Sequence, residues 1–154
     1  MLYALLKTAH LLSIVVWIGG MFFANFCLRP SLAALDGPVR LRLVHAVFSR
    51  FFRIVLIVSI VTLVSGLWMI ALASAQANFH MPIGWTVMAT GGLAMVAIFG
   101  HIRFALFKRL DRAVTLQDWP AGAAALGLIR KAVLMNLALG LAIIVVLRLS
   151  SAPI

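Results

Sequence analysis

The sequence predicts an all-α integral membrane protein, a four-helix bundle, and three observations predict it. Of the 154 residues, 65% are hydrophobic. Only 10% are charged, where a soluble domain carries about 25%. Four apolar runs, at about 2–27, 54–75, 82–107 and 121–147, each approach the ~20 residues that a helix needs to cross ~30 Å of hydrocarbon. The mean hydropathy of +1.17 agrees with that class.

The helices are expected at about 2–27, 38–75, 82–110 and 120–148, within one domain over 1–154. The first run reads as a retained span rather than a cleaved leader, because no small-x-small cleavage site precedes Arg29. Cys27 is the only cysteine, so it has no internal disulfide partner and reads as a packing residue. The second helix starts where Asp36 supplies an N-cap and Pro38 a first-turn residue. It therefore begins well before its hydrocarbon run. Its opening PVRLRLVHAVFSRFF mixes Arg with apolar residues, as expected where long side chains snorkel through headgroups. Pro82 opens the third helix, and Asp118 with Pro120 opens the fourth. Trp68, Trp85 and Trp119 fall near the ends of apolar runs and read as interface anchors. Trp17 lies mid-run.

A net charge of +10 suggests nucleic acid, but its placement argues against that partner. Arg29, Arg40, Arg42, Arg50 and Arg53 lie in or beside the first connection, and Arg103, Lys108, Arg109, Arg112, Arg130 and Lys131 in or beside the third. The second, ASAQANFHMP, has no basic residue. An excess of Lys and Arg marks cytoplasmic connections. Connections one and three are thus expected in the cytoplasm and both termini in the periplasm of a bacterial inner membrane. Basic connections also suit anionic lipid headgroups, making membrane lipid the expected partner. With no glutamate, no Ser-His-Asp set, no metalloprotease motif and no phosphate loop, hydrolytic and kinase chemistry are excluded.

The histidines carry the remaining chemistry. In KTAHLLSIVVWIGG, His10 shares one helix face with Ser13, Trp17, Gly20 and Ala24. Back from His101 runs a second small-residue stripe of Ala97, Ala94 and Thr90, with Gly91 beside it. Both stripes are expected to look into the bundle, and helix four offers Asn136 and Gly140. Small residues permit close helix packing or leave room for a flat cofactor. An intramembrane histidine is a functional hypothesis by default, and imidazole ligates haem iron. Along the helices, His10 and His101 are expected about 18 Å apart in height. Two bis-histidine sites are then expected, His45 with His101 on the inside and His10 with His80 on the outside. Trp17 reads as a porphyrin neighbour, and Arg50, Arg53 and Arg103 as propionate partners.

The stretch KTAHLLSIVVWIGGMFF followed by LRP resembles the first helix of the bacterial copper-resistance D family. It also resembles the four-helix membrane protoporphyrinogen oxidases, whose late helix-three histidine before a basic stretch is similar to FGHIRFALFKRL here. The tail IRKAVLMNLALGLAIIVV resembles the last helix of small copper-resistance D-like proteins. These resemblances imply a four-helix bundle holding b-type haem, with His10 and His101 as the matching positions. The oxidases carry a histidine followed two residues on by lysine early in helix three. Here that place reads GWTVMAT, and no lysine precedes Lys108 in the helix, so protoporphyrinogen oxidation is not carried over.

Three readings follow. The first is a cytochrome-like protein with one or two haem b groups, moving electrons within or across the membrane, a membrane oxidoreductase with quinone or another redox partner. The second is copper uptake or handling, in which His80 with Met81 outside and Met21, Met69, Met88 or Met95 within supply soft ligands for Cu(I). The third is a non-catalytic subunit of a larger complex, or a homo-oligomer.

Overall fold

The computed structural model describes residues 1–150, all but a few of them helical. Four helices are long and apolar enough to cross a membrane: α1 (Leu2–Ala34), α2 (Gly37–Ser74), α3 (Ile83–Thr115) and α4, whose apolar span is Trp119–Leu149. No strand occurs among the described residues. α1 packs chiefly on α2, and α3 chiefly on α4, while α4 also meets α1 and α2. Short connections keep successive helices antiparallel neighbours.

Two helices outrun their expected ends. α1 continues past Cys27 through a π-turn, Ala24–Leu28, and a short stretch, Arg29–Ser31, into a 3₁₀ turn, Leu32–Ala34. Pro30 is tolerated because it follows the wider π-turn, where the i→i−4 ladder is already interrupted. α3 carries a second π-turn, Ile102–Leu106, and runs to Thr115. It stops at Gln117, which takes a left-handed backbone conformation at φ 56°. There Asp118 N–H donates to Ala113 O at 2.9 Å and Gln117 N–H to Val114 O at 3.2 Å, closing the helix end. Asp118 then caps α4 through Ala121 N–H at 3.0 Å. Asp36, placed as the N-cap of α2, makes no side-chain capping bond.

The core is a column of large side chains. Phe52 of α2 meets Phe99 of α3 edge-on at 6.1 Å and Phe107 at 5.3 Å, and Trp17 of α1 meets Phe99 at 6.0 Å. Leu110 and Ile129 are wholly buried. Lipid provides no hydrophobic drive between helices, so close packing decides which faces meet. Two glycines permit that packing. A Cβ on Gly20 would strike the Phe51 ring, and one on Gly140 would stand 3.0 Å from Met95 Cε and 3.1 Å from Ile18 Cδ1.

The face of α3 differs from the expected one. Thr90, Ala94, Ala97 and His101 are exposed, and the buried side carries Met95, Phe99, Ile102 and Leu106. At 100° per residue the small stripe lies nearly opposite Met95. The bulkier face fills the space against Trp17 and Phe52, and hydrocarbon accepts the small one outside. Cys27 is likewise exposed rather than packed.

Candidate functional site

On α1 the sequence reading of the inward face holds: His10, Ser13, Trp17 and Met21 are the buried residues of Leu2–Phe23. His10 is 7% exposed. Its Nδ1 lies 2.9 Å from the backbone oxygen of Thr62 and 3.1 Å from Ser65 Oγ, both on α2. Ser65 directs its own proton to Val61 O, one turn back on α2. Both neighbours of Nδ1 therefore act as acceptors, which assigns the ring proton to Nδ1. Nε2 keeps its lone pair, and it is buried with no hydrogen-bond partner. Lipid cannot satisfy it, so a buried acceptor of this kind calls for an explanation.

His10 lines a cavity of about 130 Å³ among all four helices. Trp17 stands two turns along α1 on the same wall. Opposite it, α3 contributes Met88, Gly92 and Met95, and α4 contributes Gly140 and Ile143. Gly66 of α2 forms the backing of the imidazole: a Cβ there would lie 3.1 Å from His10 Cε1 and 3.5 Å from Nδ1. The local sequence explains the geometry. In TLVSG, residues 62–66, a carbonyl, a hydroxyl and a missing side chain fall within one turn and make a seat for one ring. An imidazole fixed by N–H to a backbone carbonyl, with its other nitrogen bare, is the usual posture of a metal-ligating histidine. Met88 and Met95 line the same cavity, and thioethers are soft donors.

The other expected site residues are elsewhere. His45 Nε2 lies 2.7 Å from Asp111 Oδ1, and its ring stacks on Phe107 at 5.3 Å. Phe107 is six residues beyond His101 on α3, a rise of about 9 Å, and His101 is exposed. The expected equality of height between His45 and His101 therefore fails, and the inner pair does not form. The reason is that His45 meets α3 at Phe107 and Asp111, beyond the π-turn Ile102–Leu106, and so stands past the level of His101. His80 is exposed in the connection after α2 and does not line the His10 cavity. Arg50 and Arg53 are exposed, Arg53 donating from Nε to Ser49 O at 3.2 Å. Arg103 lies over the Phe104 and Phe107 rings at 5.7 and 5.5 Å. None of these three arginines lines the His10 cavity.

A porphyrin does not fit this site. A cavity of roughly 150 Å³ accommodates a benzene ring, and a porphyrin joins four pyrrole rings. Among the described residues, no three His, Cys, Asp or Glu side chains gather as a metal site. What the fold does assemble is one imidazole nitrogen and two thioethers in an apolar chamber. Sequence reasoning named His10, Trp17, Met88 and Met95 but missed Thr62, Ser65 and Gly66. Their signal was the polar-small turn TLVSG within an otherwise aliphatic helix.

Four long apolar helices with an intramembrane histidine–methionine chamber define a multi-pass helical membrane protein. The family model described as CopD, copper resistance protein D, matches residues 45–149. The chain belongs to that family. The matched span runs from His45 in α2 to the end of α4, and so includes the His10 seat, Met88 and Met95. His10 itself, on α1, lies before it. No curated protein and no solved structure matches the chain.

Proposed function

We propose that the protein handles copper in a bacterial inner membrane, passing Cu(I) as cargo through the chamber between its helices. The observation that carries this reading is the bare, buried Nε2 of His10, held by Thr62 and Ser65 in a cavity that Met88 and Met95 also line. One imidazole and two thioethers form a soft, neutral donor set, which suits Cu(I) and leaves hard divalent ions poorly served. Family membership supports the same cargo. His10 Nε2 would bind the ion, Met88 and Met95 would complete its coordination, and the apolar walls would exclude water and oxidants. His80 and Met81 are exposed at the end of the bundle where α1 starts, and they receive the ion there. The basic first and third connections support an orientation with that end in the periplasm.

The test is a titration of detergent-purified protein with Cu(I) against a chromogenic chelator under reducing conditions. One equivalent should bind. His10→Ala, or Met88→Leu with Met95→Leu, should abolish the binding while the protein stays monodisperse and helical. Stoichiometric binding untouched by these changes would refute the assignment. A Soret band in the purified protein would instead favour electron transfer by haem.

A further inference from the structure

At the opposite end of the bundle from His10 lies a larger cavity, about 320 Å³, walled by the end of α1 and the starts of α2 and α4. Three guanidinium groups line it, each from a different helix: Arg29 of α1, Arg40 of α2 and Arg130 of α4. No carboxylate pairs with any of them among the described residues; the one ion pair there joins His45 and Asp111. Three like charges thus border one cavity without a carboxylate partner, Arg29 and Arg130 on its exposed rim. Arg40 is half-buried, so water screens its charge only in part. The remaining wall is apolar, with Leu28, Leu41, Phe48 and Val133 prominent.

We propose that this cavity binds the phosphate headgroup of an anionic phospholipid, with an acyl chain lying along Phe48 and Val133. Charge complementarity selects an anion, and the planar guanidinium fork matches phosphate oxygens in paired hydrogen bonds. The apolar wall selects a lipid over a free ion, because inorganic phosphate gains nothing from leucine and phenylalanine. Basic pockets between transmembrane helices are built for headgroups in this way. The volume lies within the range of small-molecule sites. The π-turn Ala24–Leu28 shapes the wall. It widens α1 at Ala24, Asn25 and Leu28, and Asn25 Nδ2 donates back to Met21 O at 3.0 Å, satisfying a carbonyl that the wider turn leaves partly free. The lipid would join α1, α2 and α4 at the end where Arg42, over the Trp119 ring at 5.1 Å, already links α2 to α4. This site is independent of the copper reading, since it shares no residue with the His10 chamber.

Delipidated protein in detergent is incubated with phosphatidylglycerol, phosphatidylcholine of the same chains, or inorganic phosphate, and bound lipid is counted by native mass spectrometry beside thermal unfolding. Phosphatidylglycerol should bind one to one and raise the unfolding temperature, and the other two should not. Arg40→Gln with Arg130→Gln should weaken it about thirty-fold, near five-fold for each charge removed. Arg109→Gln with Arg148→Gln, neither of which lines the cavity, should leave it intact. Equal loss in both double variants would overturn the site in favour of diffuse surface charge. Equal effect of inorganic phosphate would overturn the lipid as occupant. If the Arg40/Arg130 variant fails to fold, Arg29→Gln, at an exposed position of the cavity wall, becomes the test: it must weaken phosphatidylglycerol about five-fold, and unchanged binding refutes the proposal.

Discussion

Gly66→Ala is the most discriminating change available, because it separates stability from cargo binding. Alanine exceeds glycine in a helix interior by about 1 kcal/mol, so α2 itself should gain rather than lose. The added methyl would sit 3.1 Å from His10 Cε1, whereas carbon atoms rest at roughly 3.5–4.0 Å. The ring must then retreat by about half an ångström, the tolerance within which a binding group has to be held. Its bond from Nδ1 to Thr62 O, now 2.9 Å, would stretch beyond about 3.2 Å, the far end of ordinary N–H···O geometry. Loosening the outer partner of a ligating histidine lowers metal affinity about 10–100-fold. The assay is competitive Cu(I) titration paired with thermal unfolding on the same preparation. Affinity should fall by that factor with the melting temperature unchanged or raised. Full affinity in a folded Gly66→Ala protein would refute the view that the Thr62–Ser65–Gly66 turn positions His10.

Ser65→Ala removes one of two acceptors for Nδ1, so Cu(I) affinity should drop about ten-fold, the low end for such partners, because Thr62 O remains. Gly20→Ala presses a methyl into the Phe51 ring and should destabilise the α1–α2 pair by about 1–3 kcal/mol, read as a lower unfolding temperature. Asp111→Asn removes the carboxylate charge facing His45, in a pair whose side chains are 25% (His45) and 58% (Asp111) exposed; exposed pairs contribute about 0–1 kcal/mol, so unfolding should barely move and copper binding not at all. A C-terminal alkaline phosphatase fusion should be active in cells and a fluorescent fusion dark, because the basic first and third connections orient the chain; the reverse pattern would refute that orientation.

The helices were legible because hydrocarbon is an exacting solvent. Every backbone group must be satisfied within the segment, so long apolar runs have one viable form. The two longer helices escaped the reading at their ends for a local reason. Arg29-Pro30 and the basic stretch after Arg103 look like stops by composition, but a π-turn precedes the first and contains the start of the second. Such a turn adds a residue without ending the helix, and nothing in residue type announces it.

The site divides along the same physical line. On α1, His10 and Trp17 could be placed inward because the opposite side holds Leu11, Val15 and Phe22, all exposed; polarity chose the face. On α3 both sides are apolar, and polarity has no vote except through His101. Packing then turned Met88, Met95 and Phe99 inward and left His101 outside. That rotation is what separates a histidine pair from a histidine–methionine chamber. In a membrane protein the orientation of a uniformly apolar helix is set by which surface interlocks with its neighbours. Here Phe99 interlocks with both Trp17 and Phe52, so the two methionines on its stripe are carried in with it. Methionine, flexible and polarisable, then fills the irregular space that the aromatic column leaves, and so Met88 and Met95 come to line the same cavity as His10.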